Sequence, residues 1–419
     1  MIFFSSIVTV FSIIFSFLSG LMPWNRVYYF DSVNGSDSNS GKSIEEAFQS
    51  LEKLNSLKLM SGNTVYIARG SEYRGQLFCQ KGVTYAAYGE GEKPTFLGSA
   101  DTSDSSKWKE TEIPDIWVLD EEFADDVGNI IFNEGEAVGF KQVTGIKSFS
   151  GTVEELRSDL SFWHNTDDKK VYIYSEQNPA LRFDSIEFAL CKHVITLAKG
   201  ATVDGLRVLY GGAHGIKGGC INVTVRNCEV GWTGGSIQPG QVNVRYGNGI
   251  EFWADSRNVL VENCHIYEIY DAGMTFQSTA DSTMKNITFR NNVIERCTYS
   301  FEYFNGVGGQ FRNILIDSNV FRDAGKGWGI QRPDPEYTAH INSWNGKENN
   351  AENFVISNNI LDGSTYSLFV VASTAGTLPV MDSNTYIQYK DGMLTREIKY
   401  SDCENYLKQL DPNAVAANR

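Results

Sequence analysis

Between residues 185 and 375 the chain alternates short apolar and polar segments and shows no helical periodicity. The apolar segments are rich in Val, Ile and Phe, and they are separated by Asn, Gly and Ser. Alternation with a period of two residues, interrupted by turn residues, is typical of short strands that are buried on one face. The pattern therefore predicts a succession of strands and turns in this half of the protein.

One segment of this pattern recurs. It begins at Asn222 as NVTVRNC and returns at Asn258, Asn286, Asn313 and Asn353, with spacings of 36, 28, 27 and 40 residues. A repeat of strand, turn and strand buries its apolar face only by stacking on its neighbours, as in a parallel β-solenoid. Equivalent Asn side chains would then pair along the stack. We therefore predict an all-β fold, a parallel β-helix.

The residues around the repeats predict how this domain begins and ends. Ser43–Glu46 (SIEE) has the pattern of a capping box, which predicts a short amphipathic helix through Leu51 and Leu54 that covers the N-terminal end. We place the β-helix at 23–386, with an irregular insertion at about 100–185 and a C-terminal cap at 387–419.

The first 22 residues form an apolar run that is interrupted only by Ser, Thr and Gly and contains no charged residue. Such a run predicts a signal peptide or an N-terminal membrane anchor at 1–22. We therefore expect a secreted, cell-surface or periplasmic protein, and we expect a monomer.

Composition and charge exclude several classes of partner. The 419 residues are 42% hydrophobic and carry a net charge of −15, which disfavours nucleic acid and anionic membranes. We expect no nucleic-acid partner and no membrane contact beyond an N-terminal anchor. The seven cysteines show no C-x-x-C spacing, so we interpret most of them as small core residues rather than zinc ligands or a disulfide framework.

Four stretches carry a resemblance to a known family. They are YYFDSVNGSDSNSG (28–41), GNTVYIARG (62–70), YGGAHGI (210–216) and GWGIQRPDP (327–335). The first two resemble the opening of secreted right-handed parallel β-helix proteins that act on polysaccharides, and the last two resemble their catalytic coils. The resemblance implies a right-handed parallel β-helix and a polysaccharide or oligosaccharide partner. It does not fix the reaction, because this architecture hosts glycoside hydrolases, lyases, epimerases and phage tailspikes.

Stacking the repeats also predicts an exposed face with candidate chemistry. In each coil an apolar residue points inward and the next residue points outward. The outward residues form a column of Lys217, Glu251, Thr275, Glu302 and Gln331. A second column two residues further on holds Trp253, Gln277 and Phe304, and the preceding turns supply a rim of His214, Asn248, Asp271, Tyr299 and Trp328.

The carboxylates of this face suit acid/base catalysis. Glu251 and Glu302 are two coils apart, so their backbones should lie roughly 10 Å from each other. Inverting glycosidases separate their two carboxyl groups by about 6.5–9.5 Å and retaining ones by about 5–5.5 Å. The Glu251/Glu302 pair suits inversion, and a pair that includes Asp271 suits retention. We predict Glu251, Asp271 and Glu302 as the catalytic residues and leave their individual roles open.

Aromatic rings stack on the C–H face of a sugar, and amides bond its hydroxyl groups. We therefore predict substrate contacts from His214, Lys217, Asn248, Trp253, Gln277, Tyr299, Phe304, Trp328, Gln331 and Arg332. Insertions at 232–246 and 332–352 add the secondary candidates Arg245, Asp334, His340 and Trp344.

Three functions remain open from the sequence. The first is a glycoside hydrolase that needs neither metal nor cofactor. The second is a lyase acting on a uronate-containing glycan, with Lys217 or Arg332 as base, His214 assisting, and the carboxylates recast as Ca²⁺ ligands. The third is a non-catalytic carbohydrate-binding surface protein.

Overall fold

The computed structural model describes residues 26–278, 281–333, 337–345, 350–371 and 379–419. The predicted N-terminal signal or anchor (1–22) and Asp334 lie outside the described residues. Within the described ranges, no helix is both long enough and apolar enough to cross a membrane.

Three parallel sheets, here called A, B and C, wind along most of the chain, and each regular coil supplies one strand to each of them in that order. Sheet A consists of Val27–Phe30, Thr64–Ala68, Thr84–Tyr88, Thr202–Asp204, Ile221–Arg226, Arg257–Glu262, Thr283–Arg290, Gln310–Asp317, Asn350–Ser357 and Val380–Asp382. Sheet B consists of Glu72–Arg74, Thr95–Leu97, Arg207–Leu209, Glu229–Thr233, His265–Ile269, Val293–Glu295, Val320–Ala324, Ile360–Ser364, Thr385–Gln388 and Val415–Asn418. Sheet C consists of Leu77–Phe78, Ile195–Thr196, Ile216–Gly218, Ile250–Phe252, Ala272–Ser278, Tyr299–Asn305, Ala339–Asn345 and Ser367–Val371. The predicted parallel β-helix is confirmed.

The alternating pattern produces the core in the predicted way. On sheet C the inward residues Ile250, Met274 and Phe301 follow one another in register and are buried. Similar rows from sheets A and B meet them in one continuous apolar cluster. The first Asn of each repeat forms the expected ladder, in which Asn258 donates to Asn222 at 2.7 Å and Asn286 donates to Asn258 at 2.8 Å. All seven cysteines are free thiols, and six of them are buried.

Three insertions leave the β-helix at the same corner, between sheet B and sheet C. They are residues 98–194, 234–249 and 325–338. Because successive coils are stacked, insertions from one corner lie on one side of sheet C. That side is also where the predicted rim residues are.

The first insertion has its own small sheets and its own core. One sheet contains Ser99–Asp101, Val127–Phe132, Ala137–Val138 and Ile186–Leu190, and the other contains Trp108–Glu110, Ile116–Leu119, Phe140–Lys141, Ser161–Asn165 and Lys170–Tyr174. Short helical turns at Ser105–Lys107, Asn133–Gly135, Val153–Glu155 and Pro179–Arg182 connect these strands. Phe132, Phe162 and Phe188 are buried at its centre.

The insertions are tied to one another by hydrogen bonds. Asp126 of the first accepts from the backbone N–H of Ile237 in the second at 2.6 Å, where Ser236–Ile237 pairs with Arg245–Tyr246. Gln331 of the third donates to the carbonyl oxygen of Gly139 in the first at 2.7 Å.

The N-terminal helix begins later than the sequence predicted. It spans Leu51–Ser56, with Ser50 as N-cap accepting from the backbone N–H of Lys53, whereas Ser43–Glu46 forms turns. The capping-box interpretation of Ser43–Glu46 was therefore wrong. The buried residues Leu51 and Leu54 still join the main core. At the other end, Tyr400–Asp402 and the helix Glu404–Leu410 precede the last strand of sheet B.

Candidate active site on sheet C

The outward column of sheet C forms largely as predicted. Lys217 pairs with Glu251 across the first ladder, Glu251 with Thr275 across the second, and Thr275 with Glu302 across the third. The two glutamates are thus two strands apart, which places their backbones about 10 Å from each other.

The fifth member of the column differs from the prediction. Glu302 pairs with Asn342 of the strand Ala339–Asn345, and the predicted Gln331 lies in the 3-10 turn Trp328–Gln331. The segment Trp328–Gln331 (WGIQ) has the same polar and apolar order as the strand. The strand itself begins only at Ala339, after the third insertion. Asn342 is therefore the residue that sequence reasoning missed.

Trp328 and Gln331 connect the insertion to the β-helix rather than form a rim. The Trp328 indole N–H donates to the carbonyl oxygen of Glu268 at 2.8 Å, and the ring packs against Tyr270 at 5.4 Å. Gln331 is bound to the first insertion through both ends of its amide, because its oxygen accepts from the backbone N–H of Lys141 and its NH2 donates to the carbonyl oxygen of Gly139. The prediction of Trp328 as a rim residue in register with the column was wrong, because this residue is buried.

The face itself is less open than predicted. Glu251 is 2% exposed and Glu302 is 6% exposed, whereas Trp253 and Trp344 beside them are 37% and 39% exposed. The carboxylates therefore lie below the surface of this face, beside the two more exposed indoles, and this part of sheet C is here called the cleft. Phe304 is half-buried and lies next to Trp344 in register.

Three N–H donors surround Glu251, and each of them is fixed as a donor. Asn248 donates to Oε2 at 2.6 Å, and its own oxygen accepts from the backbone N–H of Ala272 at 2.9 Å. The Trp253 indole, which can only donate, binds Oε1. His214 Nδ1 accepts from the backbone N–H of Asn248 at 3.0 Å, so in the neutral ring Nε2 carries the proton and faces Oε1 at 3.1 Å.

The charge state of His214 follows from its surroundings. Burial, His193 and Lys217 all hold the pKa of His214 well below its usual value, so the ring is neutral. His193 stacks on it at 4.9 Å, and Tyr246 meets its face edge-on at 5.1 Å. His193 and Tyr246 fix the orientation of the histidine, and neither was predicted from the sequence.

Burial raises the pKa of Glu251 to about 7. The hydrogen bonds from Asn248 and Trp253 and the charge of Lys217 oppose this shift, while the Asp271 carboxylate adds to it. Since all three hydrogen-bonding neighbours are donors, they favour the ionised carboxylate over the acid.

Glu302 also has three hydrogen-bonding neighbours, but two of them are side-chain amides, whose oxygen and nitrogen can exchange positions by rotation. Gln277 donates to Oε1 at 3.0 Å, and Asn342 and the Trp344 indole donate to Oε2 at 3.3 and 3.0 Å. The Asn342 side-chain oxygen is buried and has no hydrogen-bond partner in the described part of the chain. A rotated Asn342 amide would turn this oxygen towards Glu302 and accept a proton from it.

Burial and the nearby Asp271 charge raise the pKa of Glu302 to about 8, against the opposing effect of Trp344, Asn342 and Arg332. Because the orphaned Asn342 oxygen can accept from a carboxylic acid, the surroundings of Glu302 accommodate its protonated form. Glu302 is thus the carboxyl group of this cleft best suited to hold a proton near neutral pH.

Asp271 lies between the two glutamates in chain order and acts on both electrostatically. Its Oδ1 accepts from Arg332 at 2.9 Å. The Arg332 guanidinium lies 5.9 Å from the ring centre of Tyr270 and 5.2 Å from that of Tyr299. Tyr299 is buried under this ion pair, so it supports the arginine instead of facing a sugar as predicted.

The remaining candidates lie in different places. Lys217 approaches His193 at 3.4 Å beside Glu251. Arg245 lies over Tyr270, 4.5 Å from the ring centre. His340 is completely buried and bonds Ser300, so it belongs to the core and not to the cleft.

The cleft does not offer a good metal site. All four oxygens of Glu251 and Glu302 already accept N–H donors, whereas Ca²⁺ requires six to eight oxygen ligands. Among the described residues, no three His, Cys, Asp or Glu side chains converge on one point. The Ca²⁺ ligand role considered for these carboxylates therefore does not fit their donor-rich surroundings.

Comparisons with known proteins address the fold. The structure of XylC with xylose is 14% identical and has a TM-score of 0.51, with 88% of this chain and 70% of that chain covered. A glycoside hydrolase is 9% identical with a TM-score of 0.47, covering 94% and 96%. A lacto-N-biosidase from Eubacterium ramulus is 13% identical with a TM-score of 0.37, covering 94% and 68%. At these identities the likeness concerns the fold alone.

No curated protein matches the chain by sequence. Residues 169–378, half of the chain, match the family described as "right handed beta helix region". The protein therefore belongs to the right-handed β-helix family.

Proposed function

We propose that this protein is a carbohydrate-active enzyme, and more specifically a glycoside hydrolase that acts by inversion. The single observation that carries the proposal is the pair of glutamates two strands apart, one surrounded only by fixed donors and the other beside a free acceptor. That difference supplies the two protonation states that an acid/base pair requires.

Glu302 is the general acid in this proposal, and it protonates the leaving oxygen of the glycosidic bond. Glu251 is the general base, and it takes a proton from the water that attacks the opposite face of the sugar. A separation of about 6.5–9.5 Å between the carboxyl groups leaves room for this water. Asp271, held by Arg332, raises the pKa of the acid and positions the sugar.

The surface of the cleft supports a saccharide substrate. Trp253 and Trp344 present indole rings at its two ends, three strands or roughly 14 Å apart. Phe304 lies between them, and Gln277 supplies an amide next to the acid. Rings and amides in this arrangement suit sugar faces and hydroxyl groups. The bound xylose of the XylC structure is consistent with this use of the fold.

A lyase is the second candidate because Lys217 lies beside Glu251 in register, where an amine could act as base.

The products of the reaction distinguish a hydrolase from a lyase. Purified wild type and Glu302→Gln are incubated with neutral and with uronate-containing polysaccharides, and new reducing ends and ultraviolet absorbance are followed. The hydrolase predicts reducing ends without absorbance, lost in the variant. Absorbance of unsaturated products would overturn it in favour of the lyase, and binding without either signal would favour a carbohydrate-binding protein.

We also propose that the protein is exported and works as a monomer. The apolar run at residues 1–22 supports export. N-terminal sequencing of the protein recovered from culture medium and from membranes would distinguish a cleaved signal from an anchor, and light scattering would give the oligomeric state.

A further inference from the structure

Arg245 is a half-buried cation that lacks a carboxylate partner. Its Nε and one Nη group donate to the carbonyl oxygens of Gly235 and Gly128 at 2.7 and 3.1 Å. No Asp or Glu of the described chain forms a direct ion pair with it, although the Asp126 carboxylate acts on it electrostatically. Buried charges are normally paired, and a guanidinium has five N–H donors. Part of the charge and donor capacity of Arg245 is therefore uncommitted.

Arg245 lines a cavity of 250 Å³ between the first insertion and the turn Trp328–Gln331. Among the described residues, the other charged side chains of its wall are Lys141 and Lys147, and none is an Asp or Glu. Lys141 is neutralised by Asp126 at 2.5 Å. Lys147 is exposed and has no ion-pair partner in the described ranges. In a protein with a net charge of −15, the part of this wall that the structure describes has an excess of positive charge.

The cavity adjoins the candidate active site. Gln331 is part of its wall, and the next residue, Arg332, holds Asp271. Arg245 and Arg332 also contact the same ring, that of Tyr270. The volume is smaller than that of pockets for drug-sized ligands and suits a single sugar ring. A saccharide chain that leaves the cleft beside Asp271 would place its next ring here.

We propose that this cavity is a subsite for an anionic substituent, a carboxylate or a sulfate ester, carried by a sugar next to the bond that is cleaved. The inference rests on the proposed function and names its substrate class: a glycan with an acidic sugar. Arg245 and Lys147 would supply the charge-assisted hydrogen bonds.

Binding tests the subsite without turnover. The probes are a uronate-containing polysaccharide, the same polymer after chemical reduction of its carboxyl groups, and a sulfated neutral polysaccharide. Affinity electrophoresis compares Glu302→Gln alone with Glu302→Gln carrying Lys147→Glu. The matched control carries Lys109→Glu, an exposed lysine of the same insertion in the edge strand Trp108–Glu110, whereas Lys147 lies in the turn after Phe140–Lys141, the strand at the other edge of that sheet. Lys147 is chosen over Arg245 because the arginine also holds two backbone carbonyls in place.

We expect the acidic polymer to bind, the reduced polymer to bind at least about tenfold more weakly, and Lys147→Glu to weaken binding of the acidic polymer by about as much. The Lys109→Glu control should bind like its parent. Preference for the sulfated over the carboxylated polymer would assign the anion as sulfate. Equal binding of the acidic and reduced polymers, or equal effects of the two lysine variants, would overturn the subsite.

The two proposals fail separately. Cleavage that depends on Glu302 but is indifferent to carboxyl reduction leaves the hydrolase standing and removes the subsite. Binding that depends on the carboxyl groups and on Lys147, without cleavage in wild type, leaves the subsite standing and removes the hydrolase.

Discussion

Glu251 and Glu302 occupy equivalent positions on sheet C, two strands apart, and yet their surroundings differ in kind. Glu251 faces an asparagine, an indole and a histidine that other hydrogen bonds lock as donors. Glu302 faces one indole and two amides, and one of these amides has an orphaned buried oxygen. Burial alone would raise both pKa values alike. The hydrogen-bond partners are therefore what assigns the base role to one carboxyl group and the acid role to the other.

The largest expected effect comes from removing either carboxyl group. Glu302→Gln and Glu251→Gln should each lower kcat by about 10²–10⁴-fold on a natural glycan. An activated aryl glycoside has a leaving group that needs no proton, so it should restore much of the rate to Glu302→Gln but not to Glu251→Gln. Initial rates on both substrates check this, and rescue of the Glu251 variant instead would reverse the assignment.

The pH profile of kcat/KM is the next largest effect. Glu251 must be ionised, so activity is expected to fall as the pH drops below about 7. Glu302 must be protonated, so activity should also fall as the pH rises above about 8. The expected profile is a bell with its optimum between these values. A profile with only one limb would mean that one of the two carboxyl groups does not take part.

Substitution of Asp271 and substitution of Arg332 should shift the pH profile of kcat/KM in opposite directions. Asp271→Asn removes a charge that raises the pKa of both glutamates, so both limbs should shift down, by about one pH unit. Arg332→Gln removes a charge that lowers the pKa of Glu302, so the alkaline limb should shift up. A shift of the alkaline limb in the same direction in both variants would contradict the electrostatic role of Asp271 and Arg332.

Substitution of Asn248 and of Asn342 should give smaller shifts of the pH profile. Asn248→Ala removes a fixed donor from Glu251, so the acid limb should move up by about half a unit. Asn342→Ala removes both the 3.3 Å donor that lowers the pKa of Glu302 and the acceptor available to its protonated form; where the acceptor role dominates, the alkaline limb should move down. An upward movement in the second variant would show that Asn342 acts only as a donor.

The smallest effect concerns stability. The folded-state pKa of Glu302 lies above its usual 4.5, so the stability linked to its proton is complete at low pH and is lost as the pH rises to about 8. Above that pH, Glu302→Gln should raise Tm by about 2 °C or more, because an uncharged amide replaces a buried charge. Glu251→Gln should lower Tm, since its amide NH2 would replace an oxygen that accepts from a fixed donor. Thermal melts of both variants at one alkaline pH make the comparison.

The sequence predicts the register of the column as far as Glu302, because each coil up to that point is anchored by its own copy of the Asn repeat, although the copies are 36, 28 and 27 residues apart. It fails at the fifth coil, where 40 residues separate the repeats and Trp-Gly-Ile-Gln imitates the strand. The true strand residue, Asn342, had the same local pattern and could have been found by testing both alignments.

The burial of the glutamates could not be predicted. It depends on side chains of neighbouring strands and turns that close over the carboxylates, such as Trp253 at Glu251 and Trp344 at Glu302. The same holds for the ion pair of Asp271 with Arg332, whose partners are 61 residues apart. Local pattern fixed which residues point outward, and only the tertiary arrangement decided which of them meet.

The most direct test is the protonation state of the two glutamates at about pH 7.5, measured by infrared difference spectroscopy of the carboxyl C=O stretch. We expect a protonated carboxyl band in wild type that disappears in Glu302→Gln and persists in Glu251→Gln. A band that survives in Glu302→Gln and is lost in Glu251→Gln would contradict the assignment of acid and base.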